Sequence, residues 1–212
     1  MNAQTERFTI PGPAGLLEVA RDAAAPGPRR GLAIVAHPHP LFGGTLDNKV
    51  VQTLARAFVQ SGWDTLRFNF RGVGQSAGSY DGGAGERDDL LAVAAHGLAG
   101  AQAGEAVALA GFSFGSYVAS LAASALSEKN AIEKIVFVGT AASRFAVAPL
   151  PADWHDRTLV IHGEQDDTVP LPAVMDWARP QSLPVTVVPG GGHFFHGQLP
   201  LLKQLVVRHL RA

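Results

Sequence analysis

Ala106-Val107-Ala108-Leu109-Ala110-Gly111-Phe112-Ser113-Phe114-Gly115-Ser116 joins two segments of different character within eleven residues. Ala106 to Ala110 is a short, uniformly apolar run of the kind a strand shows when both of its faces are buried. From Phe114 to Leu126 the chain is built largely from Ala, Ser and Val and reads as a helix. Between them lies G-x-S-x-G, with no residues left over for a loop. A strand-to-helix turn this sharp strains its central residue and lifts the Ser113 hydroxyl clear of the sheet, while Gly111 and Gly115 keep side chains out of the crowded corner. The helix that starts at once aims free N–H groups and its positive end at the same point. That context separates a nucleophile from an ordinary Gly/Ser turn.

Working outward, apolar runs and helical patterns alternate as they do around a largely parallel sheet. Arg7–Ile10 and Leu16–Ala20, joined by a Pro/Gly turn, are expected to form an antiparallel edge pair. Leu32–Ala36, Trp63–Phe70, Ile135–Val138, Thr158–Ile161 and Val185–Val188 read as further strands. Helices are predicted from Asp47 (as N-cap) to Ser61, with Gly62 as the stop, from Glu86 to Leu98, and from Leu199 to Leu210. The expectation is one α/β domain over residues 1–212, with about eight mostly parallel strands flanked by helices.

Composition narrows the chemistry. A formal net charge of -1 offers no basic face for a phosphate backbone. No apolar run is long enough to cross a bilayer. The polar start, Met1 to Arg7, lacks the pattern of an export signal, so a cytoplasmic location is expected. Cysteine is absent, which removes disulfides, thiolate metal sites and a cysteine nucleophile together. Arg71-Gly72-Val73-Gly74-Gln75-Ser76 is too irregular for a dinucleotide fingerprint and reads as scaffold loop. No cofactor is implied.

A serine hydroxyl needs a base, and the base needs an anion to fix its tautomer. Among the 8 histidines, His193 follows the last strand in a glycine loop that can carry it to Ser113; His196 lies closer to the final helix. Acids follow the strand Thr158–Ile161, with Asp166 the first choice, Asp167 the second and Glu164 the third. The order Ser, Asp, His is the one expected of a triad on such a sheet. An oxyanion would be held by the Phe114 N–H and by an N–H from His37-Pro38-His39-Pro40-Leu41-Phe42-Gly43-Gly44. Pro38 and Pro40 have no N–H, which leaves His39, Leu41 or Phe42, with Leu41 favoured. The histidines of this loop lack a third partner for a metal, and are expected to orient the loop by hydrogen bonds.

The chain resembles the α/β-hydrolase superfamily, and within it lidless bacterial proteins similar to dienelactone hydrolases. The resemblance runs over nearly the whole chain. It rests on His37–Val50, Leu66–Ser76, Gly111–Gly115, His162–Pro170 and Gly192–His196. The family pattern G-x-x-D-x-x-V-P, laid on Gly163–Pro170, selects Asp166, and H-G-x-x-G laid on His39–Gly43 selects Leu41, with proline replacing the glycine. The interval between Ile135–Val138 and Thr158–Ile161 carries Pro149 and Pro151 and is too short for a cap domain. An open cleft walled by Ser143–Leu150 and Phe194-Phe195 is therefore expected, with His39, Phe42 and Phe194 as substrate-pocket candidates. The implied activity is cleavage of small esters or thioesters through an acyl-enzyme, by a monomer or homodimer. Peptidase or lactone-hydrolase activity and a non-catalytic binding module are the alternatives. Haloalkane or epoxide hydrolysis would want an aspartate where Ser113 stands.

Overall fold

Eight strands form a single sheet in the order β1-β2-β4-β3-β5-β6-β7-β8. The computed structural model describes residues 5–101, 104–128 and 131–212; the first four residues of the polar start lie outside the described residues. β1 (Glu6–Gly12) and β2 (Gly15–Asp22) are the antiparallel edge hairpin, and β2 pairs antiparallel with β4 (Trp63–Phe68). From β4 onward all neighbours are parallel: β3 (Gly31–Ala36), β5 (Ala106–Phe112), β6 (Ala131–Val138), β7 (Thr158–Gly163) and β8 (Val185–Val188).

Strand β3 shows why these sequences are apolar throughout. Leu32, Ile34 and Ala36 face one layer and Ala33 and Val35 the other, so no position is left for a polar residue. The first layer is closed by α2 (Ala84–Gly97) and α3 (Phe114–Ser127), through Leu90, Val93, Val118 and Ala122. The second is closed by α1 (Lys49–Gln60) and α5 (Leu199–Arg211), through Val51, Leu54, Phe58, Leu202 and Val206. Burying one such side chain is worth about 1.5–3 kcal/mol, so the two faces of the sheet carry most of the stabilisation.

Two local expectations are corrected. The N-cap of α1 is Asn48, whose side chain accepts the Val50 N–H at 2.9 Å, and not Asp47. The Asp47 carboxylate instead accepts from the Arg7 guanidinium at 2.6 Å, an ion pair that pulls it away from the helix. A further helix, α4 (Leu171–Ala178), follows β7 where the sequence pattern shows none. Its eight residues are too few to show a helical period, and Pro172 near its start masks it further.

The strand order places the site. The chain leaves β3 toward β4 on one side, then returns from β4 past β3 to β5 on the other. The connections at the ends of β3 and β5 therefore diverge, and a crevice opens between them. The loop 37–48 after β3 and the turn at Ser113 form its two walls. The interval 139–157 between β6 and β7 contains one short 3-10 turn, Ala152–Arg157, and no cap domain.

Candidate active site

At the end of β5 the chain turns through Ser113 with φ 56° and ψ -118°, a conformation that costs a non-glycine residue of order 1–3 kcal/mol. Its neighbours show what enforces it. A Cβ on Gly111 would lie 2.3 Å from the Gly115 backbone, and one on Gly115 would lie 2.3 Å from the Ala36 carbonyl oxygen. Only glycine lets β5, the first turn of α3 and the end of β3 meet this closely. Two hydrogen bonds pin the corner: Ser113 N–H donates to Val138 O at 2.8 Å, and Ser116 Oγ donates to Gly111 O at 2.8 Å.

His193 stands across the cleft with Nε2 at 3.0 Å from Ser113 Oγ and Nδ1 at 2.7 Å from Asp166 Oδ2. The other carboxylate oxygen of Asp166 accepts the backbone N–H groups of Val169 at 2.7 Å and Thr168 at 3.0 Å. Burial pushes the Asp166 carboxyl up, but its bond to His193 and the Val169 amide outweigh this and hold it below the usual carboxylate range. Asp167 and Glu164 are exposed and bond elsewhere, to the Thr168 hydroxyl and the Gly190 N–H respectively.

Three residues support this series in roles that the sequence reading does not assign them. His162, fully buried, lies with Nε2 at 2.8 Å from Val169 O and 3.4 Å from Asp166 Oδ2, so it braces the acid from behind. Burial lowers its pKa, and because Val169 O can only accept, Nε2 is the donor. Gly139, at φ 55°, packs directly on the imidazole, where an added Cβ would sit 3.1 Å from His193 Cε1. Phe195 is wholly buried among α5 and the sheet with φ 51°, and anchors the turn that carries His193. It is therefore not a wall of the cleft; of the Phe194-Phe195 pair only Phe194 lines it. The signal for Gly139 and Phe195 lies in tertiary contact, which sequence spacing does not carry.

The second wall begins at His37. Its buried ring donates Nδ1–H to Pro38 O at 2.6 Å and accepts the Phe70 N–H on Nε2 at 3.0 Å, which fixes one neutral tautomer. His39 follows, packed against Phe42, Tyr80, Phe114 and Phe145. Its Nδ1 accepts the Leu41 N–H at 3.2 Å. Leu41 itself is 66% exposed and does not line the cleft, and its N–H, the donor favoured from sequence, is already taken by the His39 ring. The Phe42 N–H is taken by His39 O at 3.1 Å. The His39 N–H has no partner among the described residues. His39, Phe42 and Phe194 all line the cleft, an open cavity of about 280 Å³ bordered by Ser113 and His193.

Burial lowers the His37 pKa from its ordinary value to about 4, and that of His209 likewise to about 4. An unfolded histidine titrates near ~6.5. Between these values the unfolded chain takes up protons that the native chain refuses, so stability is full above about pH 6.5 and is lost as pH falls toward 4. For fully buried His37 the loss approaches about 3 kcal/mol. Urea unfolding from pH 7.5 to 4.5 is expected to show it. His37→Gln, which cannot titrate, is expected to begin less stable and to lose less over that range; an equal loss would refute the neutral assignment.

The sheet order, the turn at Ser113 and the crevice define an α/β fold with a nucleophile-type elbow. The chain belongs to the α/β-hydrolase superfamily. It is 38% identical to a crystal structure from Xanthomonas campestris described as an α/β serine hydrolase without a lid, with a TM-score of 0.88 over 100% of this chain and 95% of that one. An α/β serine hydrolase homologue from Coxiella burnetii is also 38% identical, with a TM-score of 0.84 over 97% of both chains. An uncharacterized protein of Rickettsia prowazekii is 31% identical over 201 residues, 87% of this chain and 79% of that protein. No family model matches.

Proposed function

We propose that the chain is a serine hydrolase that cleaves carboxylic esters or thioesters of small acyl substrates through an acyl-enzyme on Ser113. The observation that carries this reading is the continuous hydrogen-bonded series Ser113 Oγ, His193 Nε2, His193 Nδ1, Asp166 Oδ2 at the mouth of the cleft. Its kinship with a protein described as a serine hydrolase without a lid supports the same class. A carboxylate nucleophile would be required for haloalkane or epoxide hydrolysis, and the elbow holds serine.

The steps follow from the groups present. His193 Nε2 takes the Ser113 hydroxyl proton as Oγ attacks the carbonyl carbon; the C=O electrons move onto oxygen. Asp166 holds the imidazole with Nδ1–H toward itself, so Nε2 is free to accept, and it balances the imidazolium that forms. Collapse of the intermediate expels the alcohol or thiol, which receives the proton from His193. A water then enters, gives its proton to Nε2 and attacks the acyl carbon, and Ser113 leaves with the proton returned. Nucleophile, base and acid all come from this chain, so the scheme calls on no metal or cofactor.

Two amides suit the oxyanion. Phe114 is the first residue of α3, so its N–H has no intrahelical acceptor. Of the three loop amides considered, only that of His39 is left unengaged among the described residues, and His39 lines the cleft. His39 N–H is therefore the second donor in this scheme, in place of Leu41. The cavity is at the small end of ligand sites and is not closed by a cap, which favours short acyl groups.

The test is covalent. A fluorophosphonate probe is expected to label the wild type at Ser113, identified by peptide mass, and 4-nitrophenyl acetate to butyrate to be turned over. Absence of both, or equal labelling of Ser113→Ala, would sink the proposal and leave a binding module on a hydrolase scaffold.

A further inference from the structure

Most of the cleft wall is apolar or aromatic, and among the described residues no carboxylate lines it. One residue stands out: Arg144, the only lysine or arginine that lines it among the described residues. It has no ion pair among the described residues; Arg56, Arg208 and Arg211 share that lack, but of these only Arg144 lines the cleft, whereas Arg7, Arg29 and Arg179 are matched to acids.

The segment that carries it is fixed at several points. Arg144 N–H and Phe145 N–H both donate to Ala141 O, at 3.2 and 3.1 Å. The Phe145 ring stacks on Tyr117 at 4.8 Å and meets Phe114, the residue after the nucleophile, at 5.1 Å. Farther along, Ala148 N–H donates to Ser120 Oγ and Trp177 Nε1–H to Val147 O. The backbone of Arg144 is thus tied to α3 and α4 rather than free at a loop tip. Its charge is felt in the cleft: His39 is held below the ordinary histidine range by burial first and by Arg144 second.

We infer that Arg144 is a specificity residue, and that the preferred substrates are esters or thioesters carrying a carboxylate, which its guanidinium binds. This rests on the hydrolase reading above. A planar carboxylate matches the guanidinium fork with two parallel hydrogen bonds. A single cation balances a single negative charge; a phosphate dianion would leave charge uncompensated in a wall with no second cation.

Two matched pairs test this. Mono-4-nitrophenyl adipate against 4-nitrophenyl hexanoate places the charge on the acyl side. 4-Acetoxybenzoate against 4-acetoxybenzamide places it on the leaving side. After division by each ester's hydroxide-catalysed rate, the wild type is expected to favour the anionic member of at least one pair by about tenfold in kcat/KM, a charge-assisted contact discounted for exposure. Arg144→Gln is expected to abolish the ratio and Arg144→Lys to restore part of it. A ratio near one in both pairs, or one that survives Arg144→Gln, overturns the inference while turnover of the neutral esters leaves the hydrolase reading standing. If no ester is turned over, calorimetry on Ser113→Ala decides. Monomethyl adipate must then bind more tightly than methyl hexanoate, and lose that advantage in Ser113→Ala/Arg144→Gln; otherwise the inference fails.

Discussion

Ser113→Ala is expected to lower kcat on an activated ester by on the order of 10⁵ to 10⁶, and adding His193→Ala to that variant is expected to cost almost nothing more. His193 Nε2 has Ser113 Oγ as its partner at 3.0 Å, so without the hydroxyl the imidazole has no nucleophile to activate. The groups act as a unit and their losses do not add. What survives is expected to come from binding and from the proposed oxyanion donors, the Phe114 and His39 amides. The loss is separable from unfolding: among the described residues Ser113 Oγ bonds only to His193, and the alanine variant keeps the backbone N–H that donates to Val138 O. Thermal unfolding of the variant should therefore lie close to that of the wild type. Additive losses in the double variant would mean that His193 acts on something other than Ser113.

How much of this was legible in the sequence depended on how local each constraint is. The elbow was legible because its glycines are demanded by contacts within five residues, Gly111 against Gly115, and by a strand that any parallel sheet places beside it. The edge hairpin was legible from the Pro/Gly turn that joins its two segments, and parallel strands such as β3 and β5 from uniform apolar runs. The loop after β3 was not. Its course is set by closure: a Cβ on Gly44 would sit 2.0 Å from Pro38 O, so the loop folds back on itself and turns Leu41 outward. It is His37 that sits at the end of β3 and bonds the neighbouring Phe70 N–H. Laying the family motif from His37 instead of His39 moves the proposed oxyanion donor by two residues, from Leu41 to His39. Phe195 was misread for a related reason: two adjacent phenylalanines look alike in sequence, but the positive φ of Phe195 sends one ring into the core and leaves Phe194 at the cleft.

Asp166→Asn is expected to reduce kcat by about 10⁴, and Asp167→Asn by no more than about twofold. The two carboxylates are adjacent in sequence, and an aspartate that caps a turn could have been mistaken for the non-catalytic one. Asp166 does both tasks with different oxygens. Oδ1 accepts the Val169 and Thr168 amides, and Oδ2 faces His193. This settles how an asparagine would sit. The two backbone N–H groups require an oxygen at Oδ1, so the amide nitrogen is forced toward His193 Nδ1. Nitrogen then faces nitrogen, and the imidazole must move its proton to Nε2 to supply an acceptor. That proton points at Ser113 Oγ, and the base can no longer take one. The fold should survive, because the turn keeps both amide bonds. Removing the charge also removes a pH term: Asp166 is depressed in the native chain, so its contribution to stability is present above about pH 4 and fades below it as the carboxyl protonates. Asp166→Asn should lack that contribution at neutral pH. Asp167, exposed and bonded among the described residues only to the Thr168 hydroxyl, has no such route to the imidazole. Measured kcat values on one ester decide the matter: a loss of orders of magnitude in Asp167→Asn, with Asp166→Asn within tenfold of wild type, would exchange the two roles.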